Sequence, residues 1–412
     1  MPNNYKSLLI AFLATITRYY NYSIFGLSAS ILSEYLMPHG EGAYKMSFFF
    51  LIFSLAAITR PIGAMIFGPI GDKIGRVYSI KIAAIFSALS TMCIAFIPNF
   101  TFLGISSVIL LTLSRMFFLL SFAGEVDAIK IFVSEVAKNY RYIANSLVIF
   151  FSQIGVILAS ICYHFTALHD NFHWLWRINF AIGGVMGIIV IGMRNSLVES
   201  EDFLIAKAEA PDDQNSLFTL VAKYRLKFFL ATLISGFIGS VYHFLIIFLS
   251  SFLYYTAQII TSQKASVNNI ILIILYLVST PIAGYVSEKY KNLMQPLIAL
   301  IFSFILLIIM IYIGADYYLL IHKLLIILVP FYSVPCGVII LSLFPTIDKM
   351  RMCSLSHSIG SLLLSSTTPM FCMLIWQYNH SVESILLYFL ISLLSLTLVL
   401  LYINWQKLLR LK

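Results

Sequence analysis

The sequence predicts an all-α membrane protein: twelve transmembrane helices in two six-helix pseudo-repeats. Three observations lead there. Of 412 residues, 60% are hydrophobic and 10% charged, with a mean hydropathy of +0.95. A soluble domain carries about 25% charged residues. Uncharged runs recur at 82–114, 142–169, 178–193, 228–263, 265–287, 324–347, 352–382 and 384–406. A spanning helix needs about 20 apolar residues, so each run holds one span, two spans, or a span and a loop. Finally, one polar stretch, 195–227, divides the chain into two halves of six expected spans.

The spans are expected near 7–37, 47–70, 77–97, 102–135, 142–167 and 174–194, then 228–254, 266–287, 294–314, 320–344, 352–376 and 384–407. The first is read as a span rather than a cleaved leader, because Arg18 interrupts it and no small-residue cleavage site follows. Short turns such as Pro98-Asn99 and His169-Asp170-Asn171 are expected outside. The division is therefore 1–194 as an N-terminal bundle, 195–227 as a cytoplasmic linker and 228–412 as a C-terminal bundle. Acidic residues from Glu199 to Asp213 fill the linker, and 217–227 has the pattern of an amphipathic helix at the inner surface.

Net charge is +9. In a soluble protein that suggests nucleic acid; here topology explains it and no nucleic-acid partner is expected. With both termini and the loop after the second span inside, eighteen of the 26 basic residues are cytoplasmic, Arg194, Lys349 and Arg351 among them. That bias follows the positive-inside rule. Five scattered cysteines supply neither a disulfide framework nor a metal site. Hydrolase, zinc-protease and phosphate-loop motifs are missing, so no enzyme, cofactor or metal is expected.

Residues 60–81, RPIGAMIFGPIGDKIGRVYSIK, join two apolar runs through a very short charged hairpin. Gly68 and Gly71 let backbones approach, and Gly75 lets the chain turn. Asp72, Lys73 and Arg76 are expected where the chain leaves the bilayer, with their charge unburied. Asp72 is placed to meet a helix N-terminus or an Arg of a neighbouring helix. A weaker echo, Gly284 to Lys289, lies 216 residues later.

This hairpin resembles the signature loop of the major facilitator superfamily. Arg60-Pro61-Ile62-Gly63-Ala64 narrows the resemblance to the metabolite–proton symporter branch, which includes proline/betaine, dicarboxylate and sugar-acid-type carriers. Tyr20 to Gly26 is similar to the branch's E-W-Y-D-F-x-x-Y-G, and Arg115-Met116 through Glu135 to R-M-x-Q-G…G-G-E…F-V-A-E. Trp176 to Phe180 resembles W-R-I-P-F, Arg194 to Phe203 R-x-x-L-x-E-S-x-x-F, and Leu343 to Thr346 L-F-P-T. The resemblance implies a secondary transporter, monomeric in the inner membrane. Its signature loop closes the cytoplasmic side, its first and fourth helices line the cavity, and Arg115 serves gating or proton movement. Arg18 and Asn21 depart from it, standing where the branch has acids; so do Phe118 and Leu119, in place of Q-G.

Charges inside spans are the other informative groups, since each costs about 2.5–3.5 kcal/mol at the bilayer centre. Arg18 lies mid-membrane in the first span. Glu125, Asp127, Lys130 and Glu135 follow one another along the fourth. Asp127 and Lys130, three apart, can pair on one helix face. Glu125 points elsewhere, toward Arg18. Such charges either serve a substrate and its coupling proton or lock the bundle as internal ion pairs, and both readings satisfy the burial cost. His243, deep in the seventh span, can carry a proton or make a helix–helix hydrogen bond. The expected ligand is a zwitterionic osmolyte, amino acid or carboxylate. An uncoupled exchanger or uniporter, or a non-transporting sensor on the same scaffold, are the alternatives.

Overall fold

The computed structural model describes residues 2–37, 52, 55–167, 174–209, 216–314 and 317–411. The outer turn at His169-Asp170-Asn171, the acidic linker residues Pro211 to Asp213 and most of the start of the second expected span lie outside them.

Every long element is helical. The first span divides at Ser28 into α1 (Pro2–Leu27) and α2 (Ala29–Leu36). Then come α3 (Thr59–Lys73), α4 (Arg76–Phe96), α5 (Ile105–Val136), α6 (Arg141–Ala167) and α7 (Leu175–Arg194). Two short linker helices follow, α8 (Glu201–Ala208) and α9 (Leu217–Lys223). The seventh span is α10 (Arg225–Tyr242), a π-helical turn His243–Phe248 and α11 (Leu249–Tyr255). Next are α12 (Ser262–Tyr290), α13 (Met294–Ile313) and α14 (Tyr318–Ser342). The eleventh span is α15 (Lys349–Gly360), a π-helical turn Ser361–Ser365 and α16 (Thr368–Asn379); α17 (Val382–Leu411) is the twelfth. Among the described residues ten spans are long and apolar enough to cross a membrane, and α1 and α3 lie within the first two of the twelve expected spans.

Connections are tight because single residues take left-handed backbone. Lys291 (φ 48°) ends α12 and His380 (φ 48°) ends α16, each leaving only a few residues before the next helix. The expected amphipathic helix at 217–227 stops at Lys223. Tyr224 breaks it, and α10 starts at Arg225.

The chain forms two compact units. Unit 1 is Met1–Lys138, Phe151–Leu220 and Pro345–Leu355; unit 2 is Asn139–Phe150, Val221–Phe344 and Ser356–Lys412. In unit 1, α4 packs along α5 and α7, and α3 along α5. Its core includes Ile24, Phe25, Leu111 and Phe180, beside a second cluster around Phe118 and Phe122. In unit 2, α14 packs on α12 and α13, and α10 on α17. Ile234, Phe244, Leu272, Ile326 and Phe389 lie at its centre.

Each unit takes the first turns of a helix whose remainder belongs to the other. Unit 1 holds the start of α15 and unit 2 the start of α6.

Candidate functional site

At the end of α3, Gly68 and Gly71 bring backbone against α15. A Cβ on Gly68 would stand 2.9 Å from the Arg351 Cα, and one on Gly71 would overlap the Met350 sulfur. That approach puts Asp72 under the N-terminus of α15. Its Oδ1 accepts from Met350 N (3.0 Å) and Arg76 Nη1 (3.1 Å), and its Oδ2 from Arg351 N (2.9 Å) and Arg351 Nε (3.1 Å). Two backbone donors at a helix N-terminus and two guanidiniums compensate one carboxylate.

Asp72 and Arg76 are therefore fully buried, not solvated as expected; of the motif's charges only Lys73 stays exposed. Burial is tolerated because every charge meets a hydrogen-bonded opposite. Arg76 also donates to Gly71 O and Thr346 O and lies 3.6 Å from Glu135 Oε1. Its guanidinium rests on the Phe203 ring at 4.4 Å. Arg351 and Arg194, expected in cytoplasmic water, are buried too.

The linker locks onto this loop. Glu199 accepts from Arg76 N (3.1 Å) and Val77 N (3.0 Å), at the start of α4. Gly75 leaves the room, since a Cβ there would overlap the Glu199 carboxylate. Burial raises the Glu199 carboxyl above its ordinary range, and the N–H groups of Val77 and Arg76 act against that rise. Ser200 donates to Glu135 Oε2 (2.6 Å). Lys138 pairs with Asp202.

A second charged cluster lies inside unit 1. Arg18 on α1 sits 3.3 Å from Glu125 Oε2 on α5 and donates to Ser121 Oγ (3.1 Å). Arg194, at the end of α7, binds the other Glu125 oxygen and donates to Ile80 O (2.8 Å). One carboxylate thus bridges two buried guanidiniums. Beside them is a cavity of ≈ 10 Å³, the room of about one water. Thr17, Asn21, Ser87 and Gly187 share its lining with the three charged residues, so α1, α4, α5 and α7 all contribute. Arg18 Nε and Nη2 and Arg194 Nε have no acceptor among the described residues.

Aromatic rings carry the remaining cations. Arg18 lies 4.8 Å from the Phe118 ring and 5.0 Å from Phe122. Arg115 lies 4.2 Å from Phe25 and 5.1 Å from Phe118. Phe118, a departure from the family pattern, is thus a shared cation–π platform. Arg115 is buried. Asn21 donates to Gly183 O (3.3 Å). Asp127 is buried and Lys130 half-buried; among the described residues no ion pair joins them.

His243 stands in unit 2, half-buried, with Nδ1 2.8 Å from Gly239 O and 2.7 Å from Ser365 Oγ. His322, which the sequence did not single out, is fully buried. Its Nε2 lies 2.6 Å from Leu245 O, and a carbonyl only accepts, so Nε2 carries the proton. Nδ1 then accepts from Asn268 Nδ2 (3.3 Å), which also donates to Ser250 (3.1 Å).

A family profile described as sugar (and other) transporter matches residues 7–221, more than half of the chain. The chain belongs to this transporter family, within the major facilitator superfamily. The proline/betaine transporter of Salmonella typhimurium is 31% identical over 203 residues, 48% of this family member and 41% of that protein. The chain thus spans less than half the length of the first proline/betaine relatives it matches. The inner membrane metabolite transport protein YhjE of Escherichia coli is 25% identical over 97% of the chain and 94% of its own length. Among solved structures, the proton:xylose symporter XylE superposes with a TM-score of 0.77 at 17% identity, covering 98% of this chain and 96% of that one. FucP in its outward conformation gives 0.71 at 11%, covering 95% and 98%. At such identities the likeness is one of fold.

Proposed function

We propose that the chain is a secondary transporter that moves a small polar metabolite across the inner membrane by alternating access, both termini cytoplasmic. The observation that carries this is the Asp72 clasp. One carboxylate holds the N-terminus of α15 and two arginines through hydrogen bonds that can be released together. A packed hydrogen-bond cluster of this kind has two discrete arrangements, made or broken, which is what a gate requires.

A carboxylated or zwitterionic solute fits the first bundle best. Arg18 offers two N–H groups without an acceptor, in a cluster where two arginines share one glutamate. Bidentate recognition of a carboxylate is the chemistry guanidinium groups favour. As built, the cavity admits only about a water, so solute contact requires α1 or α7 to shift. Coupling to a proton or another cation is the first reading. Uncoupled exchange is the second, favoured by neutral Asn21 where the family carries an acid.

The test is labelled uptake into proteoliposomes, with osmolytes, amino acids and di- or tricarboxylates at two external pH values, and counterflow of whichever solute binds. Counterflow supports transport; binding without it leaves a sensor. A pH-driven gain in uptake separates symport from exchange.

A further inference from the structure

Helices 7 and 11 of the chain, that is α10–α11 and α15–α16, meet inside unit 2 in an unusual way. Each carries a π-helical turn at the meeting point, His243–Phe248 in one and Ser361–Ser365 in the other. A π-turn gives up regular hydrogen bonds and is kept mostly at functional sites. Here the two touch. Ser240 donates to Leu364 O (2.9 Å), and the His243 ring meets Ser365 Oγ. The approach depends on glycine, since a Cβ on Gly360 would overlap the Thr232 carbonyl and one on Gly236 would stand 2.9 Å from Gly360 O.

Four residues beyond His243 and Ser365, on the same faces, a groove opens between the two helices. It holds ≈ 280 Å³, roughly nine water volumes. Phe248, Phe252, Pro369 and Met373 wall it, with the hydroxyl-bearing Ser251 and Thr256 among them, and none of its lining residues is charged. Phe248 and Phe252 stack at 5.1 Å, and Trp376 sets its edge on Phe252 at 5.1 Å.

We propose that this groove binds the apolar body of the transported solute, a branched or aromatic group borne on a small carboxylate or zwitterion; this rests on the transport reading above. Three features select that occupant. Uncharged walls reject the ionic head group, because burying it unpaired is costly. The volume sits just below that of pockets for drug-sized ligands, so it suits a fragment-sized group. The hydroxyls of Ser251 and Thr256 in the lining offer hydrogen bonds that a lipid acyl chain cannot use. A sugar, with hydroxyls on every side, would leave polar groups against Phe248 and Met373.

The test uses two ladders of probes with constant head groups: glycine, leucine and phenylalanine; acetate, isovalerate and phenylacetate. Binding to the purified full chain is read by thermal unfolding and by tryptophan emission, which Trp376 makes sensitive to the groove. The proposal expects affinity to rise at least tenfold from the bare head group to its branched or aromatic member, with emission shifting only for the latter. Ser251→Phe should fill the groove and remove that gain; Ser251→Met, gentler on the fold, should reduce it. Flat or absent binding along both ladders overturns the proposal. A gain that survives Ser251→Phe in folded protein overturns it too, and points to an acyl-chain or detergent site elsewhere. The transport reading fails separately, when a probe binds the groove but shows no counterflow. Conversely, uptake of only sugars or bare head groups sinks the groove and leaves transport standing.

Discussion

Asp72 and Glu288 do the same work in the two units. Asp72 accepts the backbone N–H of Met350 and Arg351 at the start of α15. Glu288 accepts that of Tyr142 at the start of α6 (2.9 Å). Each acid follows a glycine by four residues, Gly68 in one repeat and Gly284 in the other. Gly284 also lacks room for a Cβ, which would overlap Ser146 at the first turns of α6. The second copy of the motif, eroded in sequence, keeps the acid and the glycine that its geometry needs.

The two acids differ in what they neutralise, and this sets the first prediction. Asp72→Asn removes the carboxylate that Arg76 and Arg351, both buried, share, leaving Arg76 with Glu135 and Arg351 with Asp348, at about 3–5 kcal/mol for the broken buried pairing. Glu288 caps one N–H and pairs with an exposed Lys291, so Glu288→Gln should cost about 1 kcal/mol. Thermal unfolding of the purified protein should rank them in that order. Proteoliposome uptake should fall in Asp72→Asn among molecules that still insert and fold. Equal melting points would refute the ranking, and unchanged uptake kinetics the gate.

The bridged glutamate supplies an asymmetric test. Glu125→Gln leaves Arg18 and Arg194 facing each other without a counter-charge. Arg18→Gln leaves the Glu125–Arg194 pair intact. Glu125→Gln should therefore be the more destabilising, by about 3–5 kcal/mol for broken buried pairing. Adding Arg18→Gln to it should recover part of that loss. If Arg18 also meets a substrate carboxylate, Arg18→Gln weakens binding about tenfold or more while the protein stays folded, and Arg18→Lys restores only part. Stability lost with affinity unchanged would leave Arg18 as scaffold.

Glu199 predicts a pH effect at the linker. Its carboxyl is raised in the folded protein by burial, so the folded state holds the proton more tightly than the unfolded chain does. Its contribution to stability is complete below the ordinary value near 4.5 and is lost as pH rises through the raised one. Melting temperature of the wild type relative to Glu199→Gln should fall across that window and flatten above it. A difference independent of pH would show that Glu199 acts only through its two N–H bonds.

Membrane orientation is tested with single cysteines in a background lacking the native five. Phe102, 82% exposed before α5, should label from outside when changed to cysteine. Tyr140, 62% exposed between α5 and α6, should label only after permeabilisation. The opposite pattern would reverse the orientation and the charge argument behind it.

By itself the sequence determined the membrane class, the helical fold and the position of the signature hairpin. Those rest on composition and on motif spacing, which are local properties of the chain. It also singled out Arg18 and Glu125, because an intramembrane charge is costly wherever it lies, and Asp72 through the hairpin motif. Only the tertiary structure decided who meets them. Arg194 is one residue past an apolar run and reads as cytoplasmic; packing of α7 against α4 and α1 instead buries it on Glu125. Arg351 reads the same way until Asp72 is found to hold it. His322 stands beside Lys323 at the edge of an apolar run, with nothing local to name its partners, yet both of its nitrogens are committed to other helices. The facing π-turns of helices 7 and 11 depend on Gly236 and Gly360 meeting across the bundle, a coincidence more than 120 residues apart that only folding creates. Charge and hydropathy are written residue by residue, whereas partners are written by which faces pack.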